Sequence, residues 1–180
     1  MHALRYRLSG TTWDEVLARL AALGHRAAVV GPHGRGKSKF LENLAARLEE
    51  RGFRIRIVTL HDRDRRLTTE QERTLFLNVD RQDCLLLDGA EQLAAGAWRR
   101  VERRSRAAGG LVITSHRAGL LPTLVECQTT PVLLAELVQD LLAEVPGDQD
   151  HSSDGELLAR HDGNVRDALR ELYDLWAARA

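Results

Sequence analysis

The sequence predicts a three-layer α/β/α fold, a parallel sheet with helices on both faces, followed by a small C-terminal helical lid. Three observations predict it. Apolar runs of strand type alternate with stretches of helical periodicity over the first 130 residues, a glycine-rich loop joins the first run to the next helix, and the strand signal stops after Pro131. Alternation implies parallel strands, because each parallel pair needs a crossover that a helix supplies. The expected division is a core over residues 1–130 and a lid over 131–180.

The elements follow in order. Thr12-Trp13-Asp14-Glu15 is a capping box ahead of Val16, Leu17, Leu20 and Leu23 at helical spacing, and Gly24 stops that helix. Ala27–Val30 is a short buried strand that runs into Gly31-Pro32-His33-Gly34-Arg35-Gly36. A helix is then expected from Ser38 to Glu50, with Phe40, Leu41, Leu44, Ala45 and Leu48 on one face and Gly52 as its stop. Further strands are expected at Arg54–Leu60, Cys84–Asp88 and Leu111–Thr114, with a weaker one at Thr123–Cys127. Helical stretches near Thr68–Asp80 and Leu93–Ala108 separate them. Beyond Pro131, Val132–Glu144, Asp154–His161 and Val165–Ala178 read as three helices.

Composition narrows the class. The chain has 180 residues, 26 Lys+Arg against 26 Asp+Glu, 43% hydrophobic and 29% charged residues, which suits one full core with a small appendage. No apolar stretch approaches the ~18 residues that span a bilayer, and residues 1–10 lack a signal-peptide pattern, so a cytoplasmic protein with no membrane partner is expected. Cys84 and Cys127 lie far apart without CxxC or Cys/His spacing, which supports neither a disulfide framework nor a zinc site. Residues 135–174 carry eleven acids against three arginines, a net of −8, while residues 1–134 carry +7. That asymmetry fits a solvated acidic helical tail or charge-complementary packing between subunits.

Of the 26 basic residues 24 are arginine, and the two lysines are Lys37 and Lys39. Their place has a chemical reason. Gly31-Pro32-His33-Gly34-Arg35-Gly36-Lys37-Ser38 fits G-x-x-x-x-G-K-[ST], after a strand and opening a helix as that motif requires. Glycines let amide N–H groups turn inward around a phosphate, and a slim ammonium reaches between β- and γ-phosphates where a guanidinium is too bulky. The stretch Gly31–Lys39 is therefore the expected site for ATP or ADP, with Ser38 as a Mg²⁺ ligand. Lys39 falls on the solvated helix face, and His33 projects toward solvent or a partner.

Asp88 ends a buried strand 51 positions after Lys37 and is the expected second Mg²⁺-organising group, a Walker B acid. Many ATPases follow this acid with a glutamate that polarises the attacking water. Here Gly89 stands in that place, so Glu91 is the candidate base; the competing reading is a helix-start Glu favoured by the dipole, with slow or absent hydrolysis. Thr114 or Ser115, at the end of the next strand, can orient the lytic water, and His116 and Arg117 can touch phosphate. Arg166 opens the last amphipathic helix, from which it can reach the γ-phosphate and report nucleotide state.

The ordered set GPHGRGKS, LLLDGAEQ, LVITS and GNVRDAL resembles the AAA+ P-loop ATPases, as Walker A, Walker B, sensor 1 and sensor 2 over roughly residues 12–180. The last motif is similar to that of the origin-recognition and clamp-loader branch. The resemblance implies Lys37 and Ser38 for nucleotide and Mg²⁺, Asp88 for Mg²⁺, Thr114 or Ser115 as sensor 1, and Arg166 as sensor 2. Gly89, the 26-residue interval from Asp88 to Thr114 and the small lid depart from the family pattern. The short interval and Thr-Ser-His-Arg are also similar to the STAND signalling NTPases, in which nucleotide acts as a switch. ABC ATPases likewise place a His after this strand, but the interval between the Walker motifs leaves no room for their helical subdomain.

Arg99, Arg103 and Arg106 recur at i, i+4, i+7, a stripe that can supply an arginine finger to a neighbour, can track nucleic-acid phosphates, or is simply a solvated face. The expected function is an ATP-binding ATPase that couples Mg·ATP binding and hydrolysis to homo-oligomer assembly or to a protein partner. The alternative is a nucleotide-dependent switch or adaptor with little or no hydrolysis.

Overall fold

The computed structural model describes residues 10–127, together with Arg160, His161, Asp167, Arg170 and Glu171. The elements are α1 (Trp13–Ala22), β1 (Arg26–Val30), α2 (Lys37–Glu49), β2 (Arg54–Thr59), α3 (Thr69–Phe76), β3 (Asp83–Asp88), α4 (Ala95–Arg104), β4 (Gly110–Ser115) and β5 (Thr123–Glu126). The chain divides into two compact units. One comprises Leu8–Gly31 and Lys37–Glu126; the other comprises Met1–Arg7, Pro32–Gly36 and Cys127–Ala180.

Five parallel strands lie in the order β2-β3-β4-β1-β5. The strand alternation sorts side chains onto two faces. Ala28, Val30, Leu85, Leu87, Leu111 and Ile113 face a core shared with Leu75, Phe76, Trp98 and Val101 of α3 and α4. Ala27, Val29, Cys84, Leu86 and Val112 take the opposite face, where α2 buries Phe40, Leu41, Leu44 and Leu48. Each fully buried Leu contributes about 1.5–3 kcal/mol relative to an exposed one. The capping box at Thr12 and Glu15 is formed, and Trp13 packs 5.0 Å from the Phe40 ring, which ties α1 to α2.

Two helices are shorter than the sequence periodicity predicts, for local reasons. α3 stops at Phe76 because Leu77 is extended and Asn78 adopts φ 53°, a left-handed conformation that Asn tolerates; the Asp80–Asp83 turn follows. Before α4, Ala90–Gln92 forms a single 3₁₀ turn and Leu93 is extended, so the helix begins only at Ala95. The weaker strand near Thr123 forms as β5, paired with β1. The helices expected at 132–144, 154–161 and 165–178 lie outside the described residues, apart from helical Arg160, Asp167, Arg170 and Glu171. In that second unit Glu171 receives Arg160 Nη1 at 2.9 Å and His161 Nε2 at 2.5 Å. Cys84 and Cys127 are both buried, and burial pushes the Cys84 thiol up to about 12. Among the described residues no helix is long and apolar enough to cross a membrane.

At the start of β3, Asp83 is 1% exposed. It accepts from Arg54 Nε at 3.1 Å, Arg56 Nε at 3.0 Å and the Asp80 amide at 2.7 Å. Burial alone would raise its pKa, but the Asp80 amide and the Arg56 and Arg54 guanidinium groups outweigh it and hold the carboxyl below the usual range. A carboxyl depressed in the folded state stabilises the fold above the unfolded pKa of about 3.9, and loses that contribution as pH falls through its lower folded value. Asp83→Ala is expected to cost about 1–3 kcal/mol at pH 7, since it removes a buried carboxylate that pairs with Arg54 and Arg56, while Arg56 keeps its bonds to the Thr74, Leu77 and Asn78 carbonyls. Urea midpoints measured from pH 7 down to pH 2 should show the gap between wild type and Asp83→Ala narrowing only at the acid end.

Candidate functional site

The C-terminal ends of β1, β3 and β4 converge on one edge of the sheet, because β4 lies between the other two. β1 ends at Val30, and the following loop has φ 70° at Gly34 and 77° at Gly36. Those values suit glycine and let successive amides turn to one side. Pro32 and His33 in this loop are exposed. Lys37 is buried at the first position of α2, while Ser38 beside it is exposed. Lys39 lies on the open side of α2, where Nζ meets Glu42 Oε2 at 2.8 Å.

Asp88 and Thr114 share the face of the sheet that α2 covers, as their even positions in β3 and β4 dictate. The Thr114 hydroxyl donates to Asp88 Oδ1 at 2.5 Å and accepts from the Gly89 amide at 2.8 Å. Both of its hydrogen-bonding roles are thereby used within the protein. Ser115 faces the other way: its hydroxyl donates to the Arg117 carbonyl at 2.9 Å and shapes the loop after β4. Of the two sensor candidates, only Thr114 is brought to Asp88.

The Thr114 bond engages Oδ1 of Asp88, and a carboxylate carries a second oxygen that can meet a cation. Ser38 and Asp88 are hard oxygen donors of the kind Mg²⁺ takes when substrate phosphates and water complete its octahedron. Among the described residues no group of three or more His, Cys, Asp or Glu could hold a metal. A hydroxyl and a carboxylate are a donor set that fits a cation shared with phosphate.

Gly89 departs from the usual glutamate for a visible reason. It adopts φ 85°, and a Cβ there would lie 3.0 Å from the Leu60 carbonyl oxygen. This left-handed turn sends the chain into the Ala90–Gln92 turn, which delivers Glu91 to the loop after β4. There Glu91 Oε1 lies 3.0 Å from His116 Nε2, and Glu91 Oε2 is buried with no hydrogen-bond partner. Glu91 lies in the first turn of this short 3₁₀ element, so its place at a helix start and its contact with His116 are both present. The Glu91–His116 pair was not legible as a pair in the sequence. Its signal is that both residues follow the ends of strands that lie side by side.

Arg166 lies outside the described residues. Arg99, Arg103 and Arg106 are all exposed, whereas Arg100 and Arg104 meet Glu72 at 3.9 and 2.7 Å, and Arg104 also lies 4.2 Å over the Phe76 ring.

Two substitutions test this geometry without any ligand. Thr114→Val removes the donor to Asp88 and leaves the Gly89 amide unmatched, which should cost about 1–3 kcal/mol in denaturant unfolding, while Thr114→Ser retains most of the stability. Gly89→Ala should cost about 1–2 kcal/mol, from the left-handed backbone together with the close Leu60 carbonyl.

No family model and no curated protein matches the chain. Solved structures do. A structure described as a DNA replication initiation factor superposes with a TM-score of 0.65 at 17% identity, covering 91% of this chain and 59% of that one. The replication initiator DnaA bound to AMPPCP and single-stranded DNA gives 0.61 at 17% identity, covering 89% and 58%. The RuvB Holliday junction branch migration motor of Thermotoga maritima gives 0.56 at 16% identity, covering 88% and 60%. The chain thus spans about 60% of the length of these structures. Its parallel five-stranded sheet with flanking helices has the α/β fold of the AAA+ P-loop ATPases.

Proposed function

We propose that the chain binds Mg·ATP and hydrolyses it, and that this cycle drives assembly or acts on a partner. The observation that carries the reading is the shared edge where buried Lys37, exposed Ser38 and the Asp88–Thr114 pair follow neighbouring strand ends. In this proposal residues 1–130 are the nucleotide-binding core and 131–180 the lid that supplies Arg166. Gly31–Ser38 cradle the phosphates, Lys37 neutralises the β- and γ-phosphates, and Ser38 and Asp88 hold the cation. Mg²⁺, when bound, offsets charge developing on the phosphate oxygens.

Glu91 acts as general base in this reading. It takes one proton from the attacking water, whose oxygen bonds to the γ-phosphorus as the bond to the β,γ-bridging oxygen breaks. ADP and inorganic phosphate leave, and the proton passes to the phosphate. The unpartnered Oε2 supports the assignment, because a base must keep a lone pair available. The second reading, a nucleotide switch that barely hydrolyses, draws on Gly89 in the usual place of the base.

Coupling to a partner is proposed at the level of class. The exposed Arg99, Arg103 and Arg106 support a contact with a second copy, a protein partner or nucleic-acid phosphates. The DnaA neighbour with AMPPCP and single-stranded DNA makes DNA the first nucleic acid to try. A cytoplasmic setting belongs to the same proposal.

Lys37→Ala should abolish ATP binding with the fold intact; calorimetry that finds wild-type affinity removes the phosphate-loop assignment. Glu91→Gln should slow single-turnover hydrolysis by roughly 10²-fold while ATP binding persists. If wild-type protein turns over no ATP, alone or with added DNA, the switch reading replaces the ATPase. Arg166→Ala should weaken ATP binding by about 10–150-fold and spare ADP, as loss of one charge-assisted hydrogen bond to a γ-phosphate requires. Equal losses for both nucleotides would remove its sensor role.

A further inference from the structure

We propose that His116 is a positioning residue that fixes Glu91 with one carboxylate oxygen held and the other free for the attacking water, an inference that rests on Glu91 being the base. His116 Nε2 lies 3.0 Å from Glu91 Oε1, and Glu91 Oε2 is cut off from solvent without a hydrogen-bond partner. A buried carboxylate oxygen without a partner is costly, and in native proteins it calls for an occupant such as an ordered water or ligand. The two side chains are partly buried, 21% exposed for Glu91 and 27% for His116.

The backbone explains why a clamp is needed here. A glutamate directly after Asp88 would be oriented by the strand itself. After the left-handed turn at Gly89 the carboxylate stands two residues further on, in a three-residue 3₁₀ turn rather than at the strand end. β3 and β4 are neighbours with Leu87 opposite Ile113, so the first residue beyond β4 is the one that can reach back to Glu91. That residue is His116. An imidazole suits the task because its ring is rigid and Nε2–H donates along one direction, whereas a flexible Lys or Arg would bring a fixed positive charge to the base.

The test is single-turnover ATP hydrolysis, with ATP affinity measured in parallel, on the full chain carrying Glu91→Gln, His116→Ala, His116→Gln, and Glu91→Gln with His116→Ala together. Misplacing a reacting group by about an ångström costs up to 10²-fold, so His116→Ala should slow the chemical step by 10–100-fold and leave ATP affinity within about twofold. His116→Gln, whose amide nitrogen reaches the position of Nε2, should recover most of the rate, which a merely structural loss would not allow. The double variant should be no slower than Glu91→Gln alone. Should His116→Ala fail to fold, His116→Asn replaces it, its shorter amide falling short of Glu91. A wild-type rate in His116→Ala or His116→Asn, or a His116 effect that persists in full on top of Glu91→Gln, overturns the proposal while leaving Glu91 as base. A loss that tracks ATP affinity overturns it too. Unchanged hydrolysis in Glu91→Gln, or no turnover in wild type, overturns the base assignment and this proposal with it.

Discussion

The candidate site depends on one hydroxyl. Thr114 donates to Asp88 and accepts from the Gly89 amide, so it stitches the ends of β3 and β4 at the point where both chains leave the sheet. A parallel sheet needs such a tie, because its ladder ends at the last paired residue and the loops beyond have no backbone partners of their own. With Asp88 Oδ1 held, the carboxylate keeps a fixed plane and presents its second oxygen in one direction. The tie also fixes the Gly89 amide, and so sets the direction in which the chain turns toward Glu91. Geometry at the edge is thus inherited from a buried side chain.

Much of the fold was legible in the sequence, because its signals are local. The capping box at Thr12, the strand runs and the glycine stops act within a few residues, and the structure forms them close to the expected positions. The α3 terminus was not legible. Periodicity runs on through Leu77 and Val79, but the left-handed Asn78 and the Asp80–Asp83 turn end the helix, because the turn must bring Asp83 into reach of Arg54 and Arg56 on β2. Residues that compete for a tertiary partner override a local pattern.

For the site, the phosphate-loop motif and Asp88 could be read directly, since each carries its own spacing and strand context. Thr114 and Ser115 could not be separated by sequence alone. They sit on opposite faces of β4, and only Thr114 is on the face shared with Asp88. The Glu91–His116 pair was hidden for the same reason: the residues are far apart in sequence and meet through strand order. Strand order within a parallel sheet is a global property, which no local pattern encodes.

The two edges of the sheet use charge differently, and this accounts for the near-absence of lysine. At the N-terminal edge, Asp83 is satisfied by two guanidinium groups whose planar forks each present parallel donors to a carboxylate, a geometry that an ammonium cannot reproduce. The same preference extends to Arg104, which combines an ion pair to Glu72 with stacking on Phe76. At the C-terminal edge the requirement is reversed. A buried cation at the head of α2 must be slim and must lie between groups that surround it, and there the chain places Lys37. The change from arginine to lysine at the head of α2 therefore follows the shape each place asks of a cation: a planar fork where a carboxylate is paired, a slim ammonium where the position is buried.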